Sequence, residues 1–148
     1  MKVRITTLQS NDLPALRELY LNVRQATFEW FDTSHYQLAD FDTDTIDEFI
    51  LVAYVGNKLA GFVSAYMPDN FIHHLYVDAI YQKQGVGTAL LNAILEKLQF
   101  PVGLKCLENN TSAVAFYEKH GFRYVEKGVS MEGVYILFKY EEILVSQH

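Results

Sequence analysis

Cysteine is all but missing: Cys106 is the only one in 148 residues. An intrachain disulfide and a cysteine-clustered zinc centre are therefore both excluded, and no metal site is expected. Three prolines and eight glycines are too few for a disordered or collagen-like chain. No uninterrupted apolar run approaches the roughly 18 to 20 residues of a membrane span. The start, Met1-Lys2-Val3-Arg4-Ile5, lacks the apolar core and small-residue cleavage site of a signal peptide, so a soluble cytoplasmic protein is expected, with no membrane partner. Basic charge is scarce as well. Twelve Lys and Arg against 18 Asp and Glu leave a formal charge of −6 at pH 7, which disfavours a nucleic-acid partner. The length and the 50% hydrophobic composition suit one sizeable core, so residues 1–148 are expected to form a single domain.

Lys and Arg are absent altogether between Gln25 and Asn57, where Glu29, Asp32, Asp40, Asp42, Asp44, Asp47 and Glu48 are concentrated. Phe28, Trp30, Phe31, Tyr36, Phe41 and Phe49 share that stretch. Acids interleaved with aromatics suit the holding of a cation. The plainer alternative is a solvated face with its aromatics in the core.

Hydrophobic periodicity organises the rest. Lys2 to Leu8 alternates as a strand, and Asp12 to about Phe28 reads as a helix with Leu13, Leu16, Leu19, Tyr20 and Val23 on one face. Ile50–Val55 and Leu59–Tyr66 flank Gly56-Asn57-Lys58, the composition of a hairpin. Asn70 to Asp78 reads as a strand with Phe71, His73, Leu75 and Val77 on one face and Ile72, His74, Tyr76 and Asp78 on the other. Gly85 to Gln99 follows a helical face, stopped by Pro101. A short strand over Val102–Leu107 precedes a helix capped by Asn110 and stopped at Gly121, and two runs around Gly133 close the chain as a hairpin. Hairpins at both ends with strand–helix alternation between them place the fold in the α+β (mixed α/β) class, a mixed sheet with helices on its faces.

Chemistry concentrates where the strand ending at Val77 passes through Gly85-Val86-Gly87 into a helix. Glycines allow positive φ and close approach of a ligand. The unpaired N–H groups and positive dipole end of a helix start favour a phosphate. A Walker A loop is excluded, because Thr88-Ala89 stands where Lys-Ser/Thr is required. A dinucleotide fingerprint fits poorly, since Leu90 occupies the sixth position.

Gln82-Lys83-Gln84-Gly85-Val86-Gly87 matches the Gln/Arg-x-x-Gly-x-Gly/Ala signature of the acyl-coenzyme A loop, and the chain resembles the GNAT N-acetyltransferase superfamily. A second motif follows about 25 residues later. Asn110-Thr-Ser-Ala113-Val-Ala-Phe116-Tyr117-Glu118-Lys119-His120-Gly121-Phe122 resembles the family's Asn-x-x-Ala…Tyr-Glu-Lys-x-Gly-Phe. The likeness is at motif level from about Leu75 to Tyr124, and Ala79 departs from it where members often carry proline. The resemblance implies a mostly antiparallel mixed sheet splayed at its centre, with acetyl-CoA as cosubstrate. Leu75, Tyr76 and Val77 would face the pantetheine arm, and the loop Gln82, Lys83, Gln84, Gly85, Val86, Gly87 and Thr88 would hold the pyrophosphate. Asn110, Ala113, Phe116 and Tyr117 of the second motif would line the coenzyme, Asn110 being a helix cap as well. Family members often dimerise, so a homodimer is a further implication.

Acetyl transfer to an amine needs a base, since a free alkylamine is protonated at neutral pH, and an acid for the departing thiolate. His73 is the first candidate base on its strand face, with His74 facing the other way. Tyr117 matches the family's general acid. Cys106 falls in an apolar alternation without a paired base and reads as core. Phe28, Glu29, Trp30 and Asp32 lie in the region where the family builds its acceptor wall, which suggests a cationic amine acceptor, either a small molecule or a peptide. A non-catalytic acyl-CoA binding or regulatory domain is the alternative, and a docking protein that uses the aromatic stretch is a third.

Overall fold

Period-two alternation near both ends and helical periodicity between them give seven strands and four α-helices over residues 2–141, the part that the computed structural model describes. In chain order these are β1 (Val3–Thr7), α1 (Leu13–Thr27), α2 (Asp40–Asp44), β2 (Phe49–Val55), β3 (Lys58–Tyr66), β4 (Phe71–Val77), α3 (Val86–Leu95), β5 (Val102–Leu107), α4 (Thr111–Lys119), β6 (Arg123–Ser130) and β7 (Gly133–Tyr140). Among them no helix is long and apolar enough to cross a membrane. The strands form one sheet in the order β1-β2-β3-β4-β5-β7-β6. Every neighbouring pair is antiparallel except β4 and β5. Those two meet in parallel only at Phe71↔Gly103 and Ile72↔Leu104. Beyond Ile72 they part, and the sheet opens at its centre as expected for an α+β fold of this kind.

Each face of the sheet is covered. Leu16, Leu19, Tyr20 and Val23 of α1 and Phe41 of α2 pack on Ile50, Val52 and Phe62. On the other side Val86, Leu90, Leu91 and Ile94 of α3 pack on Leu51, Val63, Ile72 and Leu104. Burial of this kind stabilises by roughly 1.5–3 kcal/mol for each fully buried large aliphatic side chain. Gly61 of β3 has no room for a side chain: a Cβ there would stand 2.6 Å from the Tyr76 carbonyl oxygen of β4. The outer strand β6 is exposed, with Val129 83% accessible.

Two expectations need correction. Helix α3 ends at Leu95 rather than continuing to Gln99. The chain then tightens, the N–H of Lys97 reaching back to Ile94 O and that of Leu98 to Leu95 O, the i→i−3 closure common at helix ends. More consequential is β4. Its register against β3 runs Ser64↔His74 and then Ala65↔Ile72, so one extra residue, His73, is inserted as a bulge. Strict alternation therefore fails, and His73 does not belong to the Leu75–Val77 face. Both imidazoles turn toward Glu48 instead.

Candidate active site at the opening between β4 and β5

The loop from β4 into α3 is built from backbone that glycine and short-range side-chain bonds make possible. Asp78 Oδ1 accepts the Ile80 N–H at 3.1 Å. Gln82 Nε2 donates to Val77 O at 3.1 Å, and Gln84 Nε2 donates to Ile80 O at 3.0 Å. These two side chains brace the loop. Lys83 (φ 63°) and Gly85 (φ 85°) take left-handed conformations, which turn successive N–H groups to one side. The first helical bond of α3 is Ala89 N–H to Gly85 O. The amides from Gly85 to Thr88 precede it and stay available to an anion. A Cβ at Gly85 would meet nothing within 4 Å, so its need for glycine is one of backbone angle.

This loop borders a cavity of about 620 Å³, within the range of small-ligand sites. Leu75, Tyr76 and Val77 of β4, the loop residues Gln82, Lys83, Gly85, Gly87 and Thr88, and the α4 residues Asn110, Ala113, Phe116 and Tyr117 all line it. Two of the expected coenzyme residues do not. Gln84 is turned to Ile80 O, and Val86 is buried in the core. Asn110 does cap α4, its Oδ1 accepting Ala113 N–H at 3.4 Å. His120 also lines the cavity and escaped the motif reading. Its Nδ1 lies 2.8 Å from Phe116 O and its Nε2 3.1 Å from Thr88 Oγ1, tying the end of α4 to the start of α3. The signal was its position one turn beyond Phe116 on the same helix face.

Tyr117 is buried among Phe116, Phe122 and Phe138. Burial, with smaller contributions from Cys106 and Tyr76, drives its phenol well above the ordinary tyrosine range, so it keeps its proton. Desolvation also pushes the Cys106 thiol up to about 12. A thiol so protonated is a poor nucleophile, as its place in the core of β5 suggests.

The two β4 histidines have different partners. His73 Nδ1 hydrogen-bonds Glu48 Oε2. His74 Nδ1 lies 2.8 Å from Ser64 Oγ and 3.4 Å from Glu48 Oε1, and its Nε2 lies 3.4 Å from Tyr20 Oη. Tyr20 in turn donates to Asp44 Oδ2 at 2.7 Å. The Glu48 side chain is only 3% exposed. Burial raises its pKa, yet the His74 and Ser64 side chains beside it and the His73 hydrogen bond outweigh that, and the net shift is downward. Glu48 is ionised. Nothing in its local sequence distinguishes it from the acids around it, so only tertiary placement reveals it.

Most of the acidic stretch is engaged within the chain. Arg24, 4% exposed, lies over the rings of Tyr20 and Tyr36 at 3.8 and 4.1 Å. It also reaches Asp40 at 3.3 Å and Asp44 at 4.0 Å. The acids and aromatics do hold a cation, and that cation is the chain's own arginine. Asp42 pairs with Arg17, and Asp32 Oδ1 accepts Ser34 N–H at 2.9 Å. Phe28 is buried, Glu29 is exposed, and Trp30 Nε1 donates to Glu132 O at 3.1 Å, linking the stretch to the β6–β7 turn. Phe28, Glu29, Trp30 and Asp32 stand outside the cavity lining, and so does His73.

The chain is 26% identical over 125 residues to the [ribosomal protein bS18]-alanine N-acetyltransferase of Escherichia coli K12, spanning 80% of this chain and 79% of that protein. The crystal structure of the E. coli ribosomal-protein-S18-alanine N-acetyltransferase superposes with a TM-score of 0.72 at 21% identity, covering 99% of this chain and 97% of that one. The PaiA N-acetyltransferase of Thermoplasma acidophilum, solved with coenzyme A, gives a TM-score of 0.76 at 20% identity, covering 95% and 100%. The model of the acetyltransferase (GNAT) family matches residues 13–122, most of the chain and both motifs, and the protein belongs to that family.

Proposed function

We propose that this protein transfers the acetyl group of acetyl-CoA to a primary amine of a small molecule or peptide by direct attack in a ternary complex. The observation that carries this reading is that one cavity is bordered both by the free amides of Gly85 to Thr88 and by the protonated phenol of Tyr117. An anion cradle and a proton donor on the same opening suit a phosphate-bearing thioester. Acetyl-CoA supplies the activated acyl group. The loop amides bind its pyrophosphate, Leu75, Tyr76 and Val77 orient the pantetheine arm, His73 takes the amine proton, and Tyr117 holds its proton toward the leaving sulfur. Thiol release from acetyl-CoA with a panel of amines, including peptides with an N-terminal alanine such as the E. coli relative's name indicates, tests the reading. Tight coenzyme A binding without release for any amine would favour a non-catalytic binding domain. We place the protein in the cytoplasm as a single catalytic domain able to pair as a homodimer.

For the loop, Gly85→Val is expected to weaken coenzyme A binding about tenfold or more. A β-branched residue resists the positive φ on which the amide cradle depends. Calorimetry on the folded variant checks this, and unchanged affinity would remove the loop from the binding site.

We assign the acceptor wall to Phe28, Glu29, Trp30 and Asp32, in the segment that Trp30 ties to the β6–β7 turn. Glu29→Gln with Asp32→Asn should raise KM for a cationic acceptor a few-fold, on the order of the weak interactions of exposed charges, and leave coenzyme affinity intact. Added salt should act in the same direction. A KM indifferent to both changes would make these acids ordinary solvated surface.

A further inference from the structure

We propose that Glu48 is a positioning residue whose carboxylate fixes the proton of His73 on Nδ1, leaves Nε2 as the base, and serves as counterion to the imidazolium formed when the amine gives up its proton. The inference deepens the acetyl-transfer reading above and rests on it.

Hydrogen-bond logic selects His73 over its neighbour. A carboxylate only accepts, so the Glu48 contact requires a proton on His73 Nδ1. In a neutral ring the lone pair then sits on Nε2, and the side chain is 39% exposed. It is also the first residue of β4 past the last pairing with β5, where the sheet opens. His74 is differently placed. The single proton of Tyr20 goes to Asp44, so the Tyr20 oxygen can only accept from His74 Nε2–H. His74 Nδ1 is left to accept from Ser64 O–H. Both nitrogens are occupied, and the ring is 14% exposed.

Glu48 Oε1 adds an independent observation. It is buried and has no hydrogen-bond partner, an arrangement that costs free energy in the resting state. A positive charge on His73, in contact with the same carboxylate, would offset that cost by charge attraction, while His74 Nδ1, 3.4 Å from Oε1, stays with Ser64. The cluster is thus arranged to accept one positive charge beside an ionised carboxylate. The charged and titratable groups around it are Tyr20 and Arg24 on α1, Asp44 on α2, Tyr66 on β3, Tyr76 on β4 and the exposed Asp47 next in the chain. Arg24 is already matched by Asp40 and Asp44, which leaves Glu48 as the counterion in contact with both imidazoles. Among the described residues no group of three His, Cys, Asp or Glu is placed to hold a metal ion.

Two measurements test this. In the intact wild-type protein, 15N-histidine spectra on the alkaline side of the imidazole titration should show His73 protonated on Nδ1 and His74 on Nε2. A His73 proton on Nε2 would overturn the proposal, and this arm needs no turnover. In Glu48→Gln an amide oxygen can still accept from Nδ1 but carries no charge. The acidic limb of kcat/KM should then move about one unit to lower pH, with an alkaline plateau about tenfold lower as the base weakens. In a His73→Asn background the same substitution should cost nothing further. An acidic limb unmoved by Glu48→Gln, or full additivity with His73→Asn, would overturn the role of Glu48 and leave the acetyl-transfer reading standing. Absence of transfer by the wild-type protein would instead sink that reading itself. If Glu48→Gln does not fold, the wild-type tautomers decide alone.

Discussion

Replacing His73 should lower kcat/KM by about 10²–10⁴, the range of general acid-base catalysis, and abolish the acidic limb of its pH profile in the pH 5–8 region where imidazoles titrate. The sign follows from the role: the ring must be unprotonated to accept the amine proton, so activity falls with falling pH and that dependence disappears with the ring. Alanine alone is an imperfect probe. It leaves the Glu48 carboxylate, 3% exposed, without its Oε2 partner, and such an orphaned charge destabilises the fold by about 1–3 kcal/mol. His73→Asn separates the two effects, because an amide N–H can replace the Nδ1 donor while offering no basic nitrogen. Both variants should lose turnover, and only His73→Ala should lose thermal stability. A wild-type pH profile in His73→Asn would transfer the base role to His74 or to water.

Much of this site was legible in the chain. The Gln82–Gly87 and Asn110–Phe122 motifs located the loop, the cap and Tyr117, because their chemistry depends on local backbone: glycines at positive φ, a helix start, an asparagine at the N-cap. Features that depend on pairing across the sheet were less visible. The bulge that turns His73 to the Glu48 side arises from the register with Ser64 and Ala65, which alternation within β4 does not contain. Glu48 likewise looked like one acid among seven. Its role comes from burial against two strands, just as Arg24 enters the aromatic cage from a helix that precedes the acidic stretch. The splay itself was implied by family likeness and has a local cause in the two-residue pairing of β4 with β5.

Tyr117→Phe should reduce kcat by about 10- to 100-fold while coenzyme affinity and thermal stability stay nearly constant. The ring contacts with Phe116, Phe122 and Phe138 are kept, and among the described residues the hydroxyl makes no hydrogen bond that the change would break. What disappears is a donor needed only as the carbon–sulfur bond cleaves, and losses confined to the transition state appear in kcat. The acidity of the two groups sets the size of the effect. A free thiol near 8.5 is a tolerable leaving group in water, whereas a buried phenol driven far above the ordinary tyrosine range would be a reluctant donor to it. The leaving sulfur, however, would form against the same buried phenol. Cys106, in the core beside Tyr117, shows the direction in which burial moves a thiol, since its own is pushed up to about 12. Desolvation therefore raises donor and acceptor together, and a strong hydrogen bond or proton transfer from Tyr117 Oη becomes worthwhile because the naked thiolate would be costly there. A packing role predicts turnover within about twofold of wild type. Single-turnover rates with saturating amine decide between them, and an unchanged chemical step in Tyr117→Phe would leave water as the proton source, with the coenzyme loop and the fold unaffected.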